Sequence, residues 1–230
     1  MYSKDLLKYE PLPLPNRMSF TDAQMQKRAK KFLKKMRRRH SVREFSERWV
    51  PRQVIEDCLR TATTAPSGAN HQPWHFIAVC DQKIKALIRR EAELEERKFY
   101  EGGGGEEWIK ALEPIGTTAE KPHLTLAPWL IVVFAQRWGE FEDGTRYKNY
   151  YVSESVNIAT GFLLTALHHS GLCTLTHTPN PMKFLGTALS RPANEKPTMI
   201  ITVGHPATDA TVPAVAKWKK PFNEVATFVE

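Results

Sequence analysis

Arg39, His40, Ser41, Val42 and Arg43 set two guanidinium groups around one hydroxyl. Guanidinium forks match phosphate oxygens bidentately, and a serine hydroxyl or freed backbone amide completes such a cradle. The same residues also suit an ordinary surface helix end. A second constellation runs Ala65, Pro66, Ser67, Gly68, Ala69 and on through Asn70, His71, Gln72, Pro73 to Trp74. Proline and glycine there hold a tight backbone and bring amides and a hydroxyl close to a planar ligand, or simply make a turn. Glu96 and Tyr100 stand four apart, so on a helix they share one face, and Lys121 follows twenty-one positions after Tyr100 with Trp108 between them. Thr174, Leu175, Thr176, His177, Thr178 and Pro179 form the last candidate stretch, at a strand end where threonine is also favoured by β-propensity alone.

These groups need elements to position them. Met25, Phe32, Leu33 and Met36 fall at helical spacing within a basic segment from Lys27 to Arg43, predicting an amphipathic helix with a solvated basic face, capped by Thr21 or Ser19. A second helix begins with Pro51 as its first residue, runs through Leu59 and ends near the Pro66 to Gly68 loop. Residues 74–80 predict a strand and residues 82–100 a charged helix. The Gly102 to Gly105 tract then breaks regular structure as a mobile lid. Residues 129–135 read as a strand buried on both faces, residues 152–167 as a long, largely buried helix, and residues 172–178 and 198–203 as two more strands. Strands interleaved with helices predict an α/β or α+β sandwich. Residues 1 to about 20, with Pro11, Pro13 and Pro15, predict an extended arm of the kind exchanged between subunits.

The 230 residues, 41% hydrophobic, suffice for one core, placed in a single domain over residues 21–230 with a lid at about 96–122. A formal charge of +8 suits nucleic acid, an anionic surface or a nucleotide phosphate. No zinc-ligand pattern, RNA-binding aromatic signature or basic zipper supports nucleic acid, and no G-x-G-x-x-G after a strand supports a Rossmann site. Cys58, Cys80 and Cys173 are odd in number and unpaired in motif, which predicts reduced core residues of a cytosolic protein. No apolar signal core or membrane-length run occurs, so a soluble cytoplasmic protein is expected, with an anchor upstream of Met1 left open.

Taken together, the segment from Arg39 to Arg43 and the A-P-S-G loop through Trp74 resemble the flavin-binding signature of the nitroreductase superfamily, over nearly the whole chain after about residue 25. The resemblance implies an α+β three-layer sandwich with a mixed central sheet, a homodimer with an exchanged terminal arm, and FMN at the subunit interface. It places Arg39, His40, Ser41 and Arg43 at the FMN phosphate and ribityl region, with His40 where an arginine is usual. Pro66, Ser67 and Gly68 fall beside the isoalloxazine, and Thr176, His177 and Thr178 along it. Lys219 stands where relatives carry a phosphate-binding arginine. Arg191 to Lys196 and V-G-H-P at 203–206 are similar to family turns.

Glu96, Tyr100, Trp108 and Lys121 further resemble the iodotyrosine deiodinase branch, where the glutamate, tyrosine and lysine grip an amino-acid zwitterion. That implies a halotyrosine substrate: Glu96 accepts from its ammonium, while Lys121 and Tyr100 hold its carboxylate. The backbone amide of Ala69 is matched to the phenolate oxygen. Thr178 is matched to flavin N5, where it favours single-electron steps. The implied activity is reductive dehalogenation of mono- and diiodotyrosine, with NAD(P)H or a reductase as electron donor. A general NAD(P)H-dependent nitroreductase and a non-enzymatic flavin or halotyrosine binding protein are the alternatives.

Overall fold

A computed structural model describes residues 8–230 of the chain. Residues 1–7, part of the predicted arm, lie outside the described residues; residues 8–20 form no helix or strand, and Tyr9, Leu12 and Leu14 are exposed. Thr21 caps α1 (Asp22–Met36) reciprocally, its side chain accepting from the Gln24 amide while the Gln24 side chain accepts from the Thr21 amide. The helix stops at Met36, before the end of the predicted basic run at Arg43. Residues 39–43 instead lie along a sheet edge, where Ser41 bridges Thr174 in parallel and the Val42 amide donates to the Thr174 carbonyl at 3.1 Å. Burial of Val42 and Phe45 favours this, and the edge backbone offers hydrogen bonds that a longer exposed helix would not. No side chain of α1 is buried; its apolar stripe of Met25, Phe32 and Leu33 stays about half exposed.

Pro51 proves to be the N-cap of α2 (Arg52–Thr63), one position before its predicted place. β1 (Trp74–Val79) leads into α3 (Gln82–Lys98), and after the lid come α4 (Glu106–Leu112) and α5 (His123–Leu126). β2 (Trp129–Gln136) is followed by a small hairpin, β3 (Trp138–Glu140) and β4 (Arg146–Lys148), too short to be read from periodicity. Then come α6 (Val152–His169), β5 (Cys173–His177), α7 (Phe184–Ala188) and β6 (Glu195–Gly204).

The main sheet has the order β1-β2-β6-β5, and every strand pair is antiparallel. The segment from α3 to α5 leaves and re-enters the sheet at one end, with Val79 opposite Leu130, so β2 runs back along β1. The mixed character expected of the sheet is thus confined to the parallel Ser41 bridge. β2 confirms the two-sided burial its apolar run predicts. Ile131, Val133 and Ala135 pack with α2 and α6, whereas Leu130, Val132 and Phe134 pack with α3, α5 and α7. Helices on both faces of the sheet make three layers.

α6 buries Val156, Ala159, Leu163 and Leu167 but leaves Ile158 and Phe162 exposed, so it is buried along one stripe only. All three cysteines are free, yet only Cys58 is buried; Cys80 is exposed and Cys173 intermediate, because the ends of β1 and β5 reach the surface. Among the described residues, no helix is long and apolar enough to cross a membrane.

Candidate active site at the fifth strand

α3 ends in a π turn, Phe99–Gly103, before α4. Gly102 has φ 123° and Gly105 φ 73°, conformations that favour glycine, so the tract ends the helical turn before α4. The lid is folded: Phe99 meets Tyr100 and Trp108 edge-on at 5.3 and 5.1 Å between ring centres.

Beneath it lies a cleft of about 240 Å³ lined by Arg43, Glu96, Tyr100, Trp108, Lys121, Thr176, His177 and Thr178, with His123 and Asn180 among others. Glu96 and Tyr100 share the helix face their spacing predicts. Lys121 Nζ lies 3.0 Å from Glu96 Oε2, and both side chains are largely buried. The same ammonium donates to Thr117 Oγ1 at 3.2 Å and to the Thr118 carbonyl, and Tyr100 Oη donates to the Thr117 carbonyl at 3.0 Å.

Two groups that sequence reasoning missed hold Lys121 in place. Glu93 Oε1 accepts the Lys121 amide at 2.8 Å and Arg89 Nε at 2.7 Å, and Arg89 Nη1 donates to Thr125 Oγ1 at 3.0 Å. Burial opposes charge on Glu93, but the Lys121 amide and Arg89 outweigh it and draw its pKa below the usual range. Lys85, fully buried, donates to the Thr125 and Ala127 carbonyls at 3.2 and 2.7 Å and so closes the end of α5. The i,i+4 pair Arg89–Glu93 was visible in the sequence; its attachment to Lys121 was not, since twenty-eight residues intervene.

His123, also missed, meets His177 edge-on at 5.7 Å. Among the described residues, each has a buried Nε2 with no hydrogen-bond partner, and His177 Nε2 is 3.9 Å from Glu96 Oε1. Desolvation, then the neighbouring His123 and the charges of Lys121 and Arg43, lower the His177 pKa to about 3. Desolvation and then Lys121 lower that of His123 to about 4. Both are neutral at neutral pH. His177 lines the cleft beside Thr176 and Thr178, with its Nε2 toward the Glu96 carboxylate.

Arg43 reaches the cleft, and desolvation lowers its pKa. Arg39, His40 and Ser41 precede it along the β5 edge, all partly buried. The Pro66 to Ala69 loop is elsewhere. It enters β1, at the opposite edge from β5, three strand spacings or roughly 14 Å across the sheet. Ala69, Asn70 and Gln72 all have φ near 50°, and such strain clusters at functional sites. Gly68 donates its amide to Ser155 Oγ at 3.2 Å, and a Cβ there would come within 2.6 Å of the Tyr150 carbonyl oxygen. Lys219 is exposed, donates to the Ala216 carbonyl at 3.0 Å and does not line the cleft. One chain therefore brings together Glu96, Tyr100, Lys121, Arg43, Thr176, His177 and Thr178, but not Pro66, Ser67, Gly68, Ala69 or Lys219.

A model of the nitroreductase family matches residues 36–205. The chain belongs to the nitroreductase family. Within the family it is 49% identical to an iodotyrosine deiodinase of Haliscomenobacter hydrossis over 201 residues, covering 87% of this chain and 90% of that one. It is 40% identical to iodotyrosine deiodinase 1 of Homo sapiens, covering 91% of this chain and 72% of the relative. A solved structure of oxidized iodotyrosine deiodinase bound to FMN and 3-iodo-L-tyrosine matches with TM-score 0.72 at 32% identity, over 86% of this chain and 98% of that one. These matches agree with the family and the branch that the motifs resemble.

Proposed function

We propose that this nitroreductase-family chain is an FMN-dependent dehalogenase that converts mono- and diiodotyrosine to tyrosine and halide. The observation that carries the reading is the meeting of Glu96, Tyr100 and Lys121 in one cleft that also contains Thr178. The high identity to iodotyrosine deiodinases supports it.

The donor set fits FMN. Arg39 and Ser41 precede the cleft and Arg43 lines it, a donor set suited to a phosphate, and Thr176 and Thr178 are among the lining residues. When bound and reduced, FMN supplies the two electrons that, with one proton, replace the carbon–iodine bond by carbon–hydrogen and release iodide. The protein's own groups do the rest. Glu96 accepts from the substrate ammonium, Lys121 and Tyr100 hold the carboxylate, and Trp108 and Leu112 of α4 cover the cleft and exclude water. Thr178 serves as the hydrogen-bond donor that tunes the flavin.

The site is completed by a second copy. The Pro66 to Ala69 loop, on the far edge, reaches the cleft of its partner, where the Ala69 amide meets the phenolate. The exposed apolar residues of α1 and α6 support a homodimer, and Tyr9 and Leu12, exposed in the non-helical N-terminal segment, support an exchanged arm. Lys219 then acts on the partner's cofactor phosphate. NAD(P)H or a partner reductase supplies the electrons.

Anaerobic mixing of the reduced holoenzyme with diiodotyrosine is expected to reoxidise the flavin and release iodide. Absence of reoxidation would rule the reading out. A general nitroreductase has no need of the grip, so Glu96→Gln and Lys121→Gln should abolish halotyrosine turnover while sparing small nitroaromatics.

A further inference from the structure

Of the charged residues that line the cleft, Arg43, Glu95, Glu96 and Lys121, the last two pair with each other. Glu96 Oε2 and Lys121 Nζ are 3.0 Å apart, with side chains 15% and 3% exposed. The other oxygen partners of Lys121 are neutral, the Thr117 hydroxyl and the Thr118 carbonyl, so Glu96 supplies the compensating charge. On the other side of the carboxylate, Oε1 faces the unpartnered Nε2 of His177 at 3.9 Å.

We propose that the Glu96–Lys121 ion pair is an internal surrogate for the substrate zwitterion, and that it selects ligands by exchange of partners. The substrate ammonium displaces Lys121 from Glu96, and the substrate carboxylate displaces Glu96 from Lys121. The inference rests on the halotyrosine reading above and adds to it the source of selectivity.

Charge balance gives the reason. A zwitterion turns one buried ion pair into two and leaves nothing unpaired. A ligand with only an ammonium would take Glu96 and strand Lys121 among neutral oxygens; one with only a carboxylate would strand Glu96. Breaking a buried pair from one side is strongly unfavourable because a buried charge is left uncompensated. Selection against half-charged analogues therefore comes from the residue left behind as much as from the contact not made.

This differs from a grip in which each residue acts alone. There, Glu96 does not touch a ligand lacking an ammonium and acts on its carboxylate only by like-charge repulsion through space. Under exchange, neutralising Glu96 frees Lys121 for such a ligand.

The test uses FMN-loaded enzyme, with flavin fluorescence quenching as the binding readout. Glu96→Gln should bind 3-(3-iodo-4-hydroxyphenyl)propionate at least about tenfold more tightly than wild type, while Lys121→Met should do the same for 3-iodotyramine, each tenfold being one partner's charge relieved. Both variants should bind 3-iodotyrosine more weakly. Half-ligand affinities that are unchanged or reduced, in variants retaining wild-type flavin content and melting temperature, would overturn the proposal.

A wild-type arm does not depend on the variants folding. Crystal structures of the holoenzyme with and without 3-iodotyrosine should show Glu96 and Lys121 parting beyond about 4 Å when ligand binds. A pair that stays closed around the ligand also overturns it. Failure of wild type to bind 3-iodotyrosine at all would instead count against the function on which the proposal rests.

Discussion

Among single residues, the neutral histidines carry a pH dependence of known sign. His177 and His123 are held from 6.5 down to about 3 and about 4, first by desolvation and then by surrounding positive charge. Between pH 6.5 and about 4 the unfolded chain takes up protons that the folded chain refuses. Stability is thus complete above pH 6.5 and lost as pH falls through that window. Each such proton contributes a slope of about 1.4 kcal/mol per pH unit. His177→Asn is expected to flatten the dependence of stability on pH by up to that slope, measured by urea unfolding at about pH 7 and about pH 4.5. An unchanged slope would show that His177 already titrates normally. His177 was legible in the sequence as a candidate site residue and His123 was not, and the neutrality of neither was, since a histidine's neutrality depends on what surrounds it.

At the scale of elements, the lid and its lysine are tied to α3 through Glu93. Glu93→Ala leaves the buried Lys121 amide unsatisfied and Arg89 without its carboxylate partner, a loss of about 2–3 kcal/mol in unfolding free energy. Halotyrosine KM should rise, with nitroaromatic turnover little changed, as read by steady-state kinetics of both substrates. The opposite edge is governed by close packing. Gly68→Ala would push a methyl against the Tyr150 carbonyl, a backbone atom that cannot step aside as a side-chain tip would, at a cost of about 1–3 kcal/mol. Thermal melting should show the drop. A melting temperature equal to that of wild type would mean the loop relaxes freely. The glycine was legible as a turn residue; the carbonyl it must avoid was not.

For the whole molecule, the residues proposed to hold the cofactor lie at opposite sheet edges, so the proposed site needs a second copy to close it. Phe162→Glu places a charge on the exposed apolar stripe of α6 beside Ile158. The expected outcome is a halved mass by sedimentation and loss of flavin on gel filtration. A monomeric variant that keeps its flavin would show that one chain suffices.

The sequence by itself determined the layers and the order of the longer elements. The unbroken apolar run of β2 requires helices on both faces, and helical spacing brings Glu96 beside Tyr100. It also determined which residue types are present for phosphate and zwitterion chemistry, because local spacing and side-chain type are properties of the chain. Only the tertiary structure decided that α1 stops at Met36, that Lys121 is buried against Glu96, and that Pro66 to Ala69 sit across the sheet from Thr178. Those outcomes depend on which edges and carbonyls come together once the strands pair, and strand pairing joins residues far apart in the chain.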